Sequence, residues 1–375
     1  LHEIVTKFWG EFGDNLTIGA TAMKEIKKLH KFDCLDAEQD ARIRDRYYYG
    51  GRVQCFEKGI LKPSSGERIA CYDINQSYPC SMRNFLHPIG VPSFSCGPIQ
   101  DSTFFVTVDG YSNGCLPKRD NDDSLSFPIG SGIFSVSIHE YRAALDTNSF
   151  IPYKVVECVN FEKVGTFADF VDRFHGLRKQ AKLDGNKLFS EFYKRVCNSG
   201  YGKFSQCPDN YKDYLIKSIG EYVEGYEEEY IIGNVVLWSK DSEDVSRYNV
   251  ATGASITGCS RSFLIRALAT AVRPMYCDTD SIICERLGPE SEYDDYKLGA
   301  WKTEKVGDKF ALAGRKLYAL FDGDECLKYA CKGVRLTPQQ IEAVADGGKV
   351  TWKKDAPTFS FKRGTRFIHR DIEMT

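Results

Sequence analysis

A short acidic turn between two apolar runs constrains this chain most: Tyr276-Cys277-Asp278-Thr279-Asp280-Ser281-Ile282. It reads as a strand, a tight turn and a returning strand, Ser281-Ile282-Ile283-Cys284, and so as an antiparallel hairpin in a buried sheet. Two carboxylates two residues apart at the end of such a strand suit a hard cation such as Mg²⁺. An Asp-x-Asp turn also occurs in solvated loops and in some sugar-nucleotide transferases, so the rest of the chain must decide its meaning.

With 375 residues, 42% of them hydrophobic and 13% aromatic, the chain can bury a large core and divide into two or more lobes. It has no apolar run long enough to span a membrane, and the start, Leu1-His2-Glu3-Ile4, is not a secretory leader. The 14 cysteines are scattered without a Cys-x-x-Cys pair, which points to reduced thiols and the interior of a cell rather than a zinc ribbon or a secreted scaffold. The net charge of −2 hides local asymmetry. Arg178–Lys203 carries seven Lys/Arg against two Asp/Glu, and Lys353–Arg370 six against one. An acidic run, Glu221 to Glu229, reads as a solvated face.

Periodicity and breaker residues place helices near 1–12, Thr21–His30 and Asp36–Tyr47, the last stopped at Tyr49-Gly50-Gly51. Arg52–Glu57 and Ile69–Ile74 read as a strand pair across Lys62-Pro63-Ser64-Ser65-Gly66, and Pro79 permits no further ladder. Short strands, Thr103–Val108 and Tyr153–Phe161, and a helix opened by a Ser137-x-x-Glu140 capping box occupy the region up to about 165. Two helices, Phe167–Leu183 and Lys187 to Cys197 or beyond, fold back at Asp184-Gly185-Asn186. Residues 206–248 read as a β-rich insertion, and Val250–Val272 as a long helix of small and apolar residues. Arg315–Phe321 and Glu325–Cys331 form a hairpin around Asp322-Gly323-Asp324, and the basic tail holds a helix near Pro338–Val344.

Asp73 ends the apolar strand Ile69–Tyr72 and can join Asp278 and Asp280 from a neighbouring strand. Carboxylates that share two cations roughly 3.5–4 Å apart are the standard arrangement for in-line phosphoryl transfer. On the second helix of the pair, Lys194, Asn198 and Tyr201 share one face, while Leu188, Phe192 and Val196 mark a stripe that can pack. Arg178 and Lys182 are four apart on the first helix, so the antiparallel pair can aim three cations into one groove, where a triphosphate would need them. Taken alone, such a hairpin is as well explained by solubility.

The motifs taken together resemble those of family B DNA polymerases. Asp73–Pro79 is similar to Asp-x-x-Ser-Leu-Tyr-Pro, departing at Gln76 and Ser77. Lys194–Gly202 resembles Lys-x-x-x-Asn-Ser-x-Tyr-Gly, Tyr276–Ser281 resembles Tyr-x-Asp-Thr-Asp-Ser, and Lys316-Leu317-Tyr318 resembles Lys-x-Tyr. Tyr49-Gly50-Gly51 is similar to the Tyr-x-Gly-Gly motif of the protein-primed branch, which copies linear phage and plasmid genomes.

The resemblance implies an α+β right-hand fold: an antiparallel-sheet palm, two-helix fingers, a small thumb and β-rich insertions. Palm segments would be 49–81 and 249–331, fingers 166–205 and thumb 332–375. Residues 82–165 would contact a terminal-protein primer, and 206–248 would close around DNA. Asp73 and Asp280 would bind two Mg²⁺ ions (Mn²⁺ substituting), with Asp278 and the Ile74 carbonyl assisting. Tyr78 would exclude a 2′-hydroxyl; Arg178, Lys182 and Lys194 would grip the phosphates of a deoxynucleoside triphosphate; Asn198 and Tyr201 would line the base pair. Tyr49, Gly50 and Gly51 would touch template, and Lys316, Tyr318, Lys203 and Lys332 would hold DNA.

Residues 1–48 resemble helices that follow a proofreading exonuclease, and the expectation is of a core without that domain. The changes at Gln76 and Ser77 imply altered packing rather than lost activity. Three other readings stay open: a non-catalytic relative that only holds primer-template or terminal protein, an RNA polymerase or primase, and an Asp-x-Asp glycosyltransferase. The last leaves the Lys194-Asn198-Tyr201 face unexplained.

Overall fold

The acidic hairpin sits inside a five-stranded antiparallel sheet whose order is Val53–Cys55, Tyr276–Asp278, Ser281–Cys284, Ile69–Ile74 and Trp301–Gly307. The computed structural model describes residues 2–13, 17–207, 211–241, 248–360 and 364–374; for 2–5, 7, 232, 352–360 and 364–372 only the backbone is described. The expected pairing of Arg52–Glu57 with Ile69–Ile74 is not made. Val53–Cys55 pairs with Tyr276–Asp278, and Ile69–Ile74 pairs with Ser281–Cys284 on one side and Trp301–Gly307 on the other. Nearly every residue of Ile69–Ile74 is buried, so this strand has to be central, and chain-distant partners flank it.

A second antiparallel sheet, Gly59–Leu61, Lys309–Gly314, Leu317–Asp322 and Glu325–Cys331, carries the helix Pro338–Ala345 against its outer face. The tail continues as a long hairpin, Val350–Ser360 with Gly364–Met374, which the sequence did not suggest. The basic side chains of 353–370 lie outside the described residues.

The helix Val250–Thr270 runs behind the palm and is buried from Val250 through Ser262. Small residues allow this closeness: a Cβ on Gly258 would fall 2.2 Å from Ser137 Oγ. The region 82–165 forms a four-stranded sheet, Ser93–Ser95, Phe150–Asn160, Thr103–Asn113 and Ile129–Ser137, with the helix Ile138–Asp146 on its inner face. Its Ser137/Glu140 capping box forms as expected. Residues 212–241 form a three-stranded sheet with Val235–Asp241 in the centre.

The fingers are Ala168–Leu183 and Lys187–Phe204, joined through Gly185 at φ +69° and capped by Asn186, whose side chain accepts from Phe189 N–H. Of the expected packing stripe, Val196 and Phe192 pack and Leu188 does not. Leu188 is half exposed, and Phe189, Tyr193 and Val196 are buried against Phe170, Phe174 and, from the N-terminal helices, Met23 and Ile26. Those helices, His2–Phe12, Ile18–Leu29 and Ala37–Tyr47, occur where the sequence places them. Among the described residues, no helix is long and apolar enough to cross a membrane.

Candidate active site

Asp73 and Asp280 meet because Asp73 pairs directly with Ser281, while Ile74 N–H donates to the Asp280 carbonyl at 2.8 Å. The turn between the hairpin strands is tight: Asp280 N–H donates to Asp278 O at 2.7 Å, and Thr279 N–H to Arg52 O at 2.7 Å. These bonds hold Thr279 at φ +61°, a conformation that a β-branched residue adopts only under constraint. Gly51 completes the packing, since a Cβ there would lie 2.7 Å from Thr279 Oγ1 and 2.8 Å from its Cγ2. The need for glycine therefore comes from the acidic turn. Gly50 is the exposed one, with open space where a Cβ would be.

The two carboxylates, Asp73 and Asp280, both have raised proton affinity. Burial, followed by the charge of Glu304, pushes Asp73 up to about 6. Burial, followed by the charges of Asp73 and Asp278, pushes Asp280 up to about 7. Asp278 is held differently. Its two oxygens accept from Lys316 Nζ at 2.7 and 2.6 Å, and also from the Tyr276 and Thr279 hydroxyls. Among the described residues, no three acidic, imidazole or thiol groups are drawn together as a metal cage. The strand pairing brings Asp73 and Asp280 together, and the Asp278 carboxylate is engaged by Lys316.

Across from the carboxylates, the fingers present Lys194, Asn198 and Tyr201. The Tyr201 ring stacks on Tyr78, with centroids 3.9 Å apart. Lys182 loses proton affinity chiefly to the charge of Arg178, then to burial, and then to Lys194 and Lys302. Cations crowded in this way favour a polyanion. Arg178 Nε and Asn198 Oδ1 are enclosed without hydrogen-bond partners, as groups awaiting a ligand would be. Ser77 is buried, and its hydroxyl meets Ser260 Oγ at 2.5 Å, so the departure at this position is absorbed as a polar contact to the long helix. Gln76 takes φ +51° at the N-terminus of the helix Ser77–Asn84.

The residues expected at the DNA differ in exposure. Tyr49 is buried, its hydroxyl donates to Arg46 O, and its ring lies under the guanidinium groups of Arg119 and Arg261. Tyr318 is buried between Tyr276 and Phe310. Lys316 precedes the strand Leu317–Asp322 at φ +57°, so the two do not share a strand face. Lys203 lies along Gly19 of the N-terminal helices and donates to Gln206. Lys332 is exposed, and its N–H donates to the Lys316 carbonyl. Ile74 is buried at the strand end.

The sequence reading missed two groups. Lys302 and Glu304, on the strand beside Asp73, place a cation and a carboxylate next to the acidic pair, and Lys328 Nζ holds Glu304 at 2.5 Å. Arg261, wholly buried in the long helix, donates to Glu140 at 2.6 and 3.1 Å and to the carbonyls of Tyr49 and Gly50 at 2.6 and 2.7 Å. An arginine amid small and apolar residues was the only signal for the second group; the first had none.

Taken together, the palm, the paired finger helices and the facing carboxylates and cations define a right-hand nucleotide polymerase. Residues 1–296 match the family model for DNA polymerase type B, organellar and viral. The chain belongs to that family and is a DNA-directed DNA polymerase. It is 41% identical to the DNA-directed DNA polymerase of Enterobacteria phage PRD1, over all of this chain and 72% of the phage protein. It is 23% identical to a probable DNA polymerase of Neurospora intermedia, over 72% of this chain and 30% of that one. The fold resembles that of Phi29 DNA polymerase complexed with primer-template DNA and incoming nucleotide, with a TM-score of 0.74 at 19% identity, covering 99% of this chain and 70% of that one.

Proposed function

We propose that this chain extends a primer 3′-hydroxyl along a DNA template by transferring deoxynucleotides from their triphosphates, with Asp73 and Asp280 as the shared cation ligands. The observation that carries this reading is the pairing of two half-buried carboxylates whose affinity for protons is raised, opposite a set of mutually repelling cations. Both fit hard divalent cations, because neither forms an ion pair among the described residues and oxygen donors are what Mg²⁺ selects. Once bound, the ions would supply an activated hydroxyl and a stabilised leaving pyrophosphate.

The chain's own residues do the positioning. Arg178, Lys182 and Lys194 hold the triphosphate, and Lys194 donates a proton to the leaving group, a role supported by its charge acting on both Asp73 and Lys182. Tyr78, stacked on Tyr201, forms a flat floor beneath the sugar and leaves no room for a 2′-hydroxyl. Asp278, anchored by Lys316, holds the turn, and its charge adds to the negative field that raises the proton affinity of Asp280 and would attract a cation. Exposed Gly50 and Lys332 face the nucleic acid.

Initiation on a terminal-protein hydroxyl is part of the same reading, supported by the Tyr49-Gly50-Gly51 motif and by two sheet insertions at the positions where the protein-primed branch carries them. The natural setting is then the replication of a linear viral or plasmid genome inside a host cell.

The test is primer extension with Mg²⁺, comparing the intact chain with Asp280→Asn while following primer-template binding separately. Extension by the first and binding alone by the second is expected. Extension by both, or by neither with binding intact, overturns the proposal. Tyr78→Ala should raise ribonucleotide incorporation, and no rise would remove Tyr78 from its role.

A further inference from the structure

We infer that Lys302 is a palm-side ligand of the incoming nucleotide's phosphates, closing from below the cationic clamp that the fingers supply from above. The inference rests on the reading of Asp73 and Asp280 as the reaction centre. It adds a residue that belongs to none of the sequence motifs.

Lys302 lies directly opposite Asp73 in the register of Trp301–Gly307 against Ile69–Ile74, so the two side chains leave the same face of the sheet. The nearest carboxylate recorded for its ammonium is Glu304 Oε1 at 3.6 Å, too long for a hydrogen bond. Glu304 has a closer partner in Lys328, whose Nζ is 2.5 Å from the other oxygen and which also donates to Cys71 Sγ. Glu304 is therefore held chiefly by Lys328, and the half-exposed Lys302 makes only the long 3.6 Å ion pair to it while its charge also acts on Asp73. The same charge acts on the finger residue Lys182, so it extends across the cleft to where Arg178, Lys182 and Lys194 converge.

A lysine beside two carboxylates that faced them only would favour their charged form but compete with cations for the same oxygens, weakening metal binding. Facing a triphosphate, it meets oxygens that the finger side chains leave uncovered on the palm side. A four-carbon stem with three rotatable donors suits a phosphate group that moves away as pyrophosphate. The recognised chemistry is that of a polyphosphate ester, not of the base or the sugar.

The test measures nucleotide binding without chemistry, on a complex of the whole chain with a dideoxy-terminated primer-template, using the next correct deoxynucleoside triphosphate. Lys302→Gln is expected to weaken that binding by about tenfold or more, the size of one charge-assisted hydrogen bond. It should weaken inhibition by pyrophosphate in parallel and leave primer-template affinity unchanged. Lys302→Arg, which keeps the charge, should restore most of the loss. In steady state the Gln variant should show a raised KM with a smaller change in kcat. If triphosphate binding is unchanged in Lys302→Gln, or if Arg does not rescue it, the inference is wrong. Should Asp280→Asn remain active, the underlying site reading fails instead, and the two failures are distinguishable.

Discussion

Arg261 offers the sharpest test of how the site is held. Its guanidinium and the Glu140 carboxylate are 1% and 0% exposed. Removing one partner of such a pair leaves the other charge buried, which costs about 3–5 kcal/mol. Glu140→Gln should fall at the low end, because the guanidinium keeps the Tyr49 and Gly50 carbonyls, at 2.6 and 2.7 Å. Arg261→Met should fall at the high end. It strips those two carbonyls of their donor and leaves Glu140 with only the Ser137 N–H and hydroxyl. The double variant should cost less than the sum, with a coupling of about 2 kcal/mol or more. Urea unfolding with the slope held fixed gives the values. Arg261→Met should also weaken template binding, since the Tyr49-Gly50 backbone loses its anchor. Single variants each costing below about 1 kcal/mol, or a strictly additive double, would refute the account.

Three further outcomes are expected. Gly51→Ala should push Thr279 and displace the acidic turn, lowering kcat by roughly 10- to 100-fold with little change in primer-template affinity; wild-type kcat would show that Gly51 does not set the turn. Burial holds His87 down at about 3 and His139 at about 4, so both are neutral in the fold and gain protons on unfolding. The stability they contribute is complete above the ordinary value of 6.5 and is lost as pH falls through that window towards their folded values; His87→Gln should flatten the stability–pH curve between pH 6.5 and 4, and an unchanged slope would reject this origin. Mg²⁺ should raise the thermal midpoint of the wild type at pH 8 and have far less effect on Asp280→Asn; equal shifts would place the cation elsewhere.

Much of the fold is legible locally. The three N-terminal helices, the finger pair with its Asp184-Gly185-Asn186 turn, the Ser137 cap and the acidic hairpin all follow from caps, breakers and hydrophobic period within a few residues. What failed depended on partners distant in the chain. On the second finger helix Val196 and Phe192 pack as expected, while Leu188 gives way to Phe189 and Tyr193 in the core shared with the N-terminal helices. The burial of the motif tyrosines Tyr49 and Tyr318 was not legible either, since no local pattern separates a buried aromatic ring from an exposed one.

By itself the sequence determined which carboxylates and cations the chain possesses and the local geometry that presents them, since turns and helical faces depend on spacing alone. Only the tertiary structure decided that the acidic hairpin is inserted between Val53–Cys55 and Ile69–Ile74, that Lys316 takes the Asp278 carboxylate, and that Arg261 reaches the Tyr49-Gly50 backbone. The physical reason is the same for all three: each joins segments tens to hundreds of residues apart, and burial and charge pairing act on what is close in space.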